Sequence, residues 1–270
     1  MNFLYPIISK LNRKQMILLF LAINLDSEPM KRILLSIIFL FAFIIVQSQP
    51  IKIMLVTGGH AFDTIQFFDM FDALPGIEYK HFQQPKANQE LVRNLAEDFD
   101  VVVFYDMWKT ISDAEKSAYL KLSQLGKPFL FLHHSIASYQ DWPEFEKLLG
   151  GKYIEAARGV SKEEQSNYEH DVWVYSKVEK YTAVTVGLKE PRFFDEIYGN
   201  VRVSDDVIPL LKTRHPKSME TIAWQHKYNN SQVVYIQPGH DYRTYANEEY
   251  RKLVEQAIKF LAETGKQDKK

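Results

Sequence analysis

The feature that most constrains the fold is a series of short apolar runs separated by amphipathic stretches. The runs Ile51–Val56, Val101–Tyr105 and Phe129–Leu132 are nearly unbroken, which is typical of strands covered on both faces. Phe62–Leu74 has the spacing of a helix with one apolar face, and Ser112–Glu115 has the sequence of a capping box that begins another helix. This alternation predicts an α/β fold with a doubly wound, mostly parallel sheet.

The second half of the chain is less regular. Residues 152–205 hold one strand pattern, around Val172–Tyr175, among many polar residues, so we expect an inserted irregular or β segment there. Three more strands and a final amphipathic helix follow, at Val207–Lys212, Glu220–His226, Gln232–Gln237 and Asn247–Ala262, with the first two strands antiparallel. The pattern predicts one domain over residues 51–264 and a disordered tail over residues 265–270.

The segment Met30–Gln49 has the pattern of a secretory signal peptide. Lys31 and Arg32 form its positive start, and Ile33–Val46 is an apolar run of 14 residues that ends near a small residue, Ser48. A membrane span needs about 20 apolar residues, so a signal peptide is favoured over an uncleaved anchor or a buried helix.

Residues 30–48 are therefore expected to be removed by cleavage after Ser48, and residues 1–29 to be an over-extended start. The mature protein would be exported, either periplasmic or secreted, without a stable membrane anchor. Cleavage there exposes Gln49 rather than a cysteine, which excludes a lipoprotein anchor.

Composition excludes several functional classes. The formal net charge is −1, and no basic patch is present that would gather nucleic acid. The chain has no cysteine, so thiolate catalysis, cysteine-ligated zinc and disulfides are all excluded. Gly58-Gly59 lacks both the lysine of a phosphate loop and the wider glycine pattern of dinucleotide-binding folds, and we therefore expect no nucleotide.

Polar residues with catalytic potential follow the predicted parallel strands. The carboxyl ends of such strands meet at one edge of the sheet, where ligands bind. That edge is expected to carry His60, Asp106, the doublet His133–His134 and His240. Because neighbouring strand residues point to opposite faces, we expect only one ring of the doublet to face the site.

These residues also carry a resemblance to the ThuA-like family, named for trehalose utilisation. The matching segments occur in the family's order over nearly all of residues 51–262; they are Val56–His60, Val101–Asp106, Phe131–Ser138 with Trp142, Leu149–Gly151, Phe194–Tyr198, Ala223–Trp224 and Gly239–Asp241. The resemblance implies a flavodoxin-like domain related to class I glutamine amidotransferases, and a role in carbohydrate metabolism.

Amidotransferases of that superfamily carry a cysteine at the sharp turn after a central strand and a histidine after a late strand. The resemblance puts His133 at the position of the cysteine and His240 in the region of the partner histidine. Without a thiolate no acyl intermediate can form, so glutaminase activity is excluded.

Two functional hypotheses remain, since no feature of the sequence favours a third, a structural or partner-binding protein. The first is an exported enzyme acting on a small-molecule carbohydrate, with acid–base or metal-assisted chemistry; its predicted catalytic residues are His133, His134, His240, Asp241 and Asp106. Its predicted substrate-binding residues are Gly59, His60, Trp108, Tyr139, Trp142 and Glu196. A divalent metal such as zinc, if bound, is expected on His60, His133 and His240. The second hypothesis is a non-catalytic sugar-binding or accessory protein that uses the same residues; the sequence predicts no oligomeric state.

Overall fold

Helices and strands alternate in the first half of the folded chain, and strands dominate the second half. The computed structural model describes residues 49–156 and 159–267, together with Ser27 and Pro29. The strands are β1 Ile51–Gly58, β2 Ile77–Gln83, β3 Val101–Asp106, β4 Phe129–Leu132, β5 Gly151–Lys152, β6 Asn167–Val178, β7 Arg192–Gly199, β8 Arg202–Val203, β9 Ile208–Thr213, β10 Thr221–Tyr228 and β11 Ser231–Ile236. The helices are α1 Thr64–Asp72, α2 Lys86–Val92, α3 Asp113–Gln124, α4 Pro143–Leu149, α5 Tyr242–Tyr245 and α6 Glu248–Gln267.

One mixed sheet of nine strands forms the centre, in the order β2-β1-β3-β4-β11-β10-β9-β6-β7. The five strands from β2 to β11 pair in parallel. Every residue of β3 and β4 is buried, as expected for parallel strands with both faces covered. The helix α6 packs on β3, β4 and β11, and α3 packs on β11, so burial of these apolar strands holds the parallel half together.

The other half of the sheet is antiparallel. The pairs β11–β10, β10–β9, β9–β6 and β6–β7 all run antiparallel, and β5 and β8 form a separate two-stranded sheet. A bulge interrupts β6 between Glu169 and Val172, where Asp171 has a φ of 58°. The extra residue shifts the alternation of exposed and buried side chains, and for this reason the sequence pattern showed only the part of β6 after the bulge.

The antiparallel half curls back onto the parallel half. β7 stands four strands from β11 in pairing order, which would place the two about 19 Å apart in a flat sheet. Yet a carboxylate oxygen of Asp195 on β7 accepts the N–H of Gly239, just after β11, at 2.6 Å, and the side chain of Gln237 donates to the carbonyl oxygen of Glu196 at 2.6 Å. The far edge of the sheet therefore lies beside the carboxyl end of β11.

The predictions about how the chain is organised can now be compared with the structure. The described residues from Pro50 onward form one compact unit. Of residues 152–205, β6 and β7 belong to the main sheet, whereas Lys152 and β8 belong to the small two-stranded sheet. The predicted tail is helical as far as Gln267, and Gly265 within it lies against Pro128. The signal peptide and the over-extended start lie outside the described residues. Within the described part, no helix has the length and apolar character that a membrane span requires.

The capping box at the start of α3 allows a test of the local fold. The Ser112 hydroxyl accepts the N–H of Glu115, whose carboxylate in turn accepts the N–H of Ser112 at 2.7 Å. Ser112→Ala removes the side-chain acceptor, so we expect the free energy of unfolding to fall by about 1 kcal/mol, measured by urea denaturation. Ser112→Thr keeps the hydroxyl and serves as the control. Equal stability of the alanine and threonine variants would contradict this account of the helix start.

Candidate functional site

A cavity of about 550 Å³ lies beside the residues that follow β1 and β4, a volume within the range of small-molecule sites. Its walls include His60, His134, His170, Glu196 and Tyr198. These five residues come from separate parts of the chain: the loop after β1, the turn after β4, and the strands β6 and β7. The curl of the antiparallel half is what brings β6 and β7 to this cavity.

The turn after β4 holds His133 in an unusual conformation. Its φ is 48° and its side chain is fully buried, and residues other than glycine seldom adopt this left-handed region. Nδ1 of the ring lies 2.7 Å from the carbonyl oxygen of Gln237, and the backbone oxygen of His133 accepts the Tyr235 hydroxyl at 2.9 Å. Because a carbonyl only accepts, Nδ1 carries a proton, and Nε2 is the atom turned toward the site.

The Glu196 carboxylate lies close to the rings of three histidines. One oxygen lies 2.9 Å from Nε2 of His133 and 3.3 Å from Nδ1 of His240, and the other lies 3.5 Å from Nδ1 of His170. Burial alone would raise the pKa of Glu196, but hydrogen bonds and charge from His133 and His240 outweigh it and hold the pKa well below its ordinary value. The carboxylate is therefore ionised.

The remaining histidines differ in their surroundings. Burial opposes the charged form of His240, but the hydrogen bond and charge of Glu196 raise its pKa. Burial lowers the pKa of His134, helped by the nearby His133, and neither ring nitrogen of His134 has a hydrogen-bond partner among the described residues. Its ring lies 4.8 Å from the ring of His60, centroid to centroid. The site thus combines one imidazole whose burial favours the neutral form with another whose charged form is favoured by Glu196.

His60 is the most accessible of the imidazoles that flank His134. Burial lowers its pKa, which favours the neutral ring. Nδ1 lies 2.6 Å from the carbonyl oxygen of Ala61 and therefore carries the proton. Nε2 keeps its lone pair and is free to accept a proton.

Asp195 positions these groups without touching the cavity. Its two oxygens accept the backbone N–H groups of Gly239 at 2.6 Å, His240 at 2.9 Å and Glu196 at 2.7 Å, and the hydroxyl of Thr244 at 2.9 Å. Gly239 has a φ of 133°, and a Cβ there would lie 2.5 Å from the Tyr250 hydroxyl, so only glycine fits this loop. One buried carboxylate therefore fixes the backbone on both sides of the Glu196–His240 contact.

The structure brings together five of the residues that the sequence singled out: His60, His133, His134, Glu196 and His240. Both rings of the doublet take part, because the left-handed turn at His133 breaks the strand alternation that would have separated them. His60 is not part of the close cluster expected for metal: its ring lies 6.4 Å from that of His240, and Glu196 takes its place beside His133.

Other predicted site residues have structural surroundings instead. Asp241 caps α5 and pairs with Arg243. Trp142 is buried against Tyr119 and Phe145. The remaining three are not among the residues that line the cavity. The Tyr139 hydroxyl is buried within hydrogen-bond distance of Asn88, Trp108 packs on the core, and Gly59 allows a close approach of the Met107 carbonyl.

Asp106 belongs to a buried polar cluster rather than to the cavity. Its carboxylate accepts Nε2 of Gln84 at 2.8 Å, and the same amide contacts Asn88 and the Tyr139 hydroxyl. Burial raises the pKa of Asp106 to about 7, against the opposing effect of the Gln84 hydrogen bond. Asp106 ends the parallel strand β3 and therefore lies at the predicted edge of the sheet, but its side chain turns toward α2 and α3.

Sequence reasoning missed His170, Tyr198 and Asp195. His170 lies on β6, whose pattern the bulge obscured, and Asp195 and Tyr198 lie on β7. A usable signal existed for Tyr198, because it lies two residues after Glu196 on the same strand and so shares its face. Its hydroxyl lies 2.9 Å from Nε2 of His133. For His170 the sequence held no comparable signal.

The raised pKa of Asp106 predicts a specific pH dependence of stability. The folded protein holds this proton up to about pH 7, whereas the unfolded chain loses it near pH 4. The folded state thus binds more protons in this window, and the contribution of Asp106 to stability falls as pH rises from about 4 to about 7. Asp106→Asn should abolish this component and raise the midpoint of urea unfolding at pH 8. Asp98→Asn, at an exposed position, is the control, and an unchanged pH profile for Asp106→Asn would refute the assignment.

Replacement of Asp195 tests the scaffold of the site. Each oxygen of Asp195 accepts a backbone N–H, so in Asp195→Asn either orientation of the amide turns an NH₂ group toward an N–H that cannot rotate. We expect a loss of about 1–3 kcal/mol in the free energy of unfolding, measured by urea denaturation. The exposed Asp113→Asn should change it by less than about 0.5 kcal/mol. An Asp195 variant as stable as that control would show that the contacts are dispensable.

Comparison with known proteins agrees with the fold described above. The family model for ThuA, described as trehalose utilisation, matches residues 55–261. A ThuA-like protein from Parabacteroides merdae has a similar structure, with a TM-score of 0.65 at 16% identity, covering 79% of this chain and 90% of the other. A ThuA-like protein from Bacteroides uniformis gives 0.60 at 19% identity, covering 79% and 92%. No curated protein sequence matches this one. From the family model and its extent, the chain belongs to the ThuA family.

Proposed function

We propose that this protein is an enzyme of carbohydrate metabolism that transfers protons on a small sugar bound in the histidine-lined cavity. The observation that carries the proposal is His60: a neutral imidazole on the cavity wall, with Nδ1 committed to a carbonyl and Nε2 free. A group of this kind is a general base. The membership in a family described as trehalose utilisation supports the substrate class.

The lining of the cavity suits a carbohydrate. Tyr153, Tyr168 and Tyr198 supply aromatic surface, on which the apolar faces of sugar rings pack, as other ligands with apolar faces do in aromatic-lined sites. Glu196 and His170 supply charged and polar groups that can form hydrogen bonds with hydroxyls. Because the cavity volume is about 550 Å³, a mono- or disaccharide fits better than a polymer.

Covalent catalysis by serine has little support in this geometry. Ser135 follows the histidine doublet, but its hydroxyl is buried and has no hydrogen-bond partner among the described residues. A serine nucleophile needs a base within hydrogen-bond reach. Together with the absence of cysteine, this favours acid–base chemistry by imidazole and excludes glutaminase activity from the proposal.

The proposal also covers the topology of the parallel half of the sheet and the location of the protein. The parallel strand order β2-β1-β3-β4-β11 supports a flavodoxin-like, doubly wound half, whose ligands bind at carboxyl strand ends. His60, His133 and His240 each follow such a strand. Export to the periplasm or medium is proposed from the pattern of residues 30–48.

The test is turnover of trehalose, other disaccharides and modified sugars, followed by mass spectrometry of the products. His60→Gln keeps a polar side chain of similar reach but removes the base, so we expect kcat to fall by at least about 100-fold. In the wild type, kcat/KM should fall on acidification below pH 6.5, the ordinary value from which the pKa of His60 is lowered, since protonation removes the base. That acidic limb should be absent from the residual activity of the variant.

The control is His215→Gln, which removes an imidazole that does not line this cavity and should leave kcat within about two-fold of the wild type. Full turnover by His60→Gln would overturn the assignment of the base. Binding of sugars by calorimetry without any conversion would favour the alternative, a sugar-binding or accessory protein. If the protein neither binds nor converts any sugar of the panel, that result contradicts the carbohydrate proposal altogether.

A further inference from the structure

We propose that Nε2 of His133, a carboxylate oxygen of Glu196 and Nδ1 of His240 bind one divalent transition-metal ion, with zinc the best match. This inference names a cofactor for the site on which the proposed function rests, and it uses residues other than the proposed base. It also changes the ligand set expected from sequence, because Glu196 replaces His60.

The spacing of the three atoms is the first argument. Nε2 of His133 lies 2.9 Å from the Glu196 oxygen and 3.3 Å from Nδ1 of His240, and Nδ1 of His240 lies 3.3 Å from that same oxygen. Ligand atoms around a tetrahedral zinc ion, each about 2.1 Å from the metal, are about 3.4 Å apart. The three atoms therefore already stand close to the edges of one face of such a tetrahedron.

The count of protons is the second argument. Since Nδ1 of His133 donates to a carbonyl, Nε2 has either one hydrogen or one lone pair to offer. Three groups nevertheless converge on it: the Glu196 carboxylate, the His240 ring and, at 2.9 Å, the Tyr198 hydroxyl. A single hydrogen cannot serve all of them. A cation at the centre accepts lone pairs from both imidazoles and the carboxylate together.

The support around the three residues is the third argument. Histidines that bind metals usually donate their other N–H to a carbonyl or carboxylate, which fixes the ring, and Nδ1 of His133 does so at 2.7 Å. The backbone N–H groups of Glu196 and His240 are both held by Asp195. Two separate segments are thus locked so that their side chains face His133.

The donor set also indicates the kind of metal. Two imidazoles and one carboxylate form a common catalytic zinc set, with the fourth position left for water or substrate; ferrous iron uses the same donors in an octahedral arrangement. Glu196 lines the cavity, so an ion bound to it would be accessible to a sugar oxygen. An ion at this position polarises that oxygen as a Lewis acid.

The experiment uses the untagged full-length protein, freed of metal by a chelator and then titrated with Zn²⁺ by calorimetry and with Co²⁺ by visible absorption. We expect one ion per chain and the absorption of a low-coordinate cobalt centre with nitrogen and oxygen ligands. Glu196→Gln and His240→Ala should each weaken binding by at least about 100-fold, since loss of a mere supporting partner already costs about 10–100-fold. His215→Ala, the control, should bind as the wild type does.

The outcomes separate this inference from the proposed function. Absence of stoichiometric binding by Zn²⁺, Co²⁺ and Fe²⁺, or unchanged binding in the Glu196→Gln/His240→Ala double variant, overturns the metal site; sugar turnover by the metal-free protein would then still support the base. Metal binding that depends on these residues, without turnover of any sugar, keeps the metal site and removes the enzyme proposal. If Glu196→Gln fails to fold, as judged by circular dichroism, His240→Ala at its partly exposed position decides alone.

Discussion

The hydrogen bonds of one buried carboxylate hold the candidate site together. Asp195 lies on the last strand of the sheet, yet it accepts N–H groups from the loop that follows β11. This contact holds the curled antiparallel half in place. Backbone pairing does not do so, because β7 and β11 are not neighbours in the sheet. A charge without water is stable only when its hydrogen bonds are complete, and the four donors to Asp195 meet that condition. Glu196 and His240 lie close together because the backbone N–H groups of both residues donate to Asp195.

Much of the fold was predictable because its parallel half follows local rules. The apolar runs that became β1, β3 and β4 are short and buried on both faces, and the capping box placed the start of α3 correctly. The antiparallel half was harder to predict. Its strand β6 has one exposed face and a bulge at Asp171, and a shift of one residue inverts the alternation on which strand prediction depends.

The site divides in the same way. His60, His133 and His240 were predictable because each lies in the loop or turn that follows a parallel strand, and this position is set by topology. Glu196 came only through resemblance to a family. Asp106, Tyr139 and Trp142 were predicted as site residues, but their side chains turn into buried clusters, because sequence position does not fix the direction of a side chain. His170 lies three strands from β11 in pairing order, and only the curl of the sheet reveals its proximity.

That curl has a consequence for how the molecule matures. The residues of the cavity span the chain from His60 to Tyr198, and long separations of this kind make contacts slow to form. The parallel core needs β11 and α6 from the end of the chain, and the pocket needs in addition the contact of β7 with the loop after β11. A ligand that contacts both halves of the sheet therefore favours the fully assembled molecule over any state in which the halves have separated.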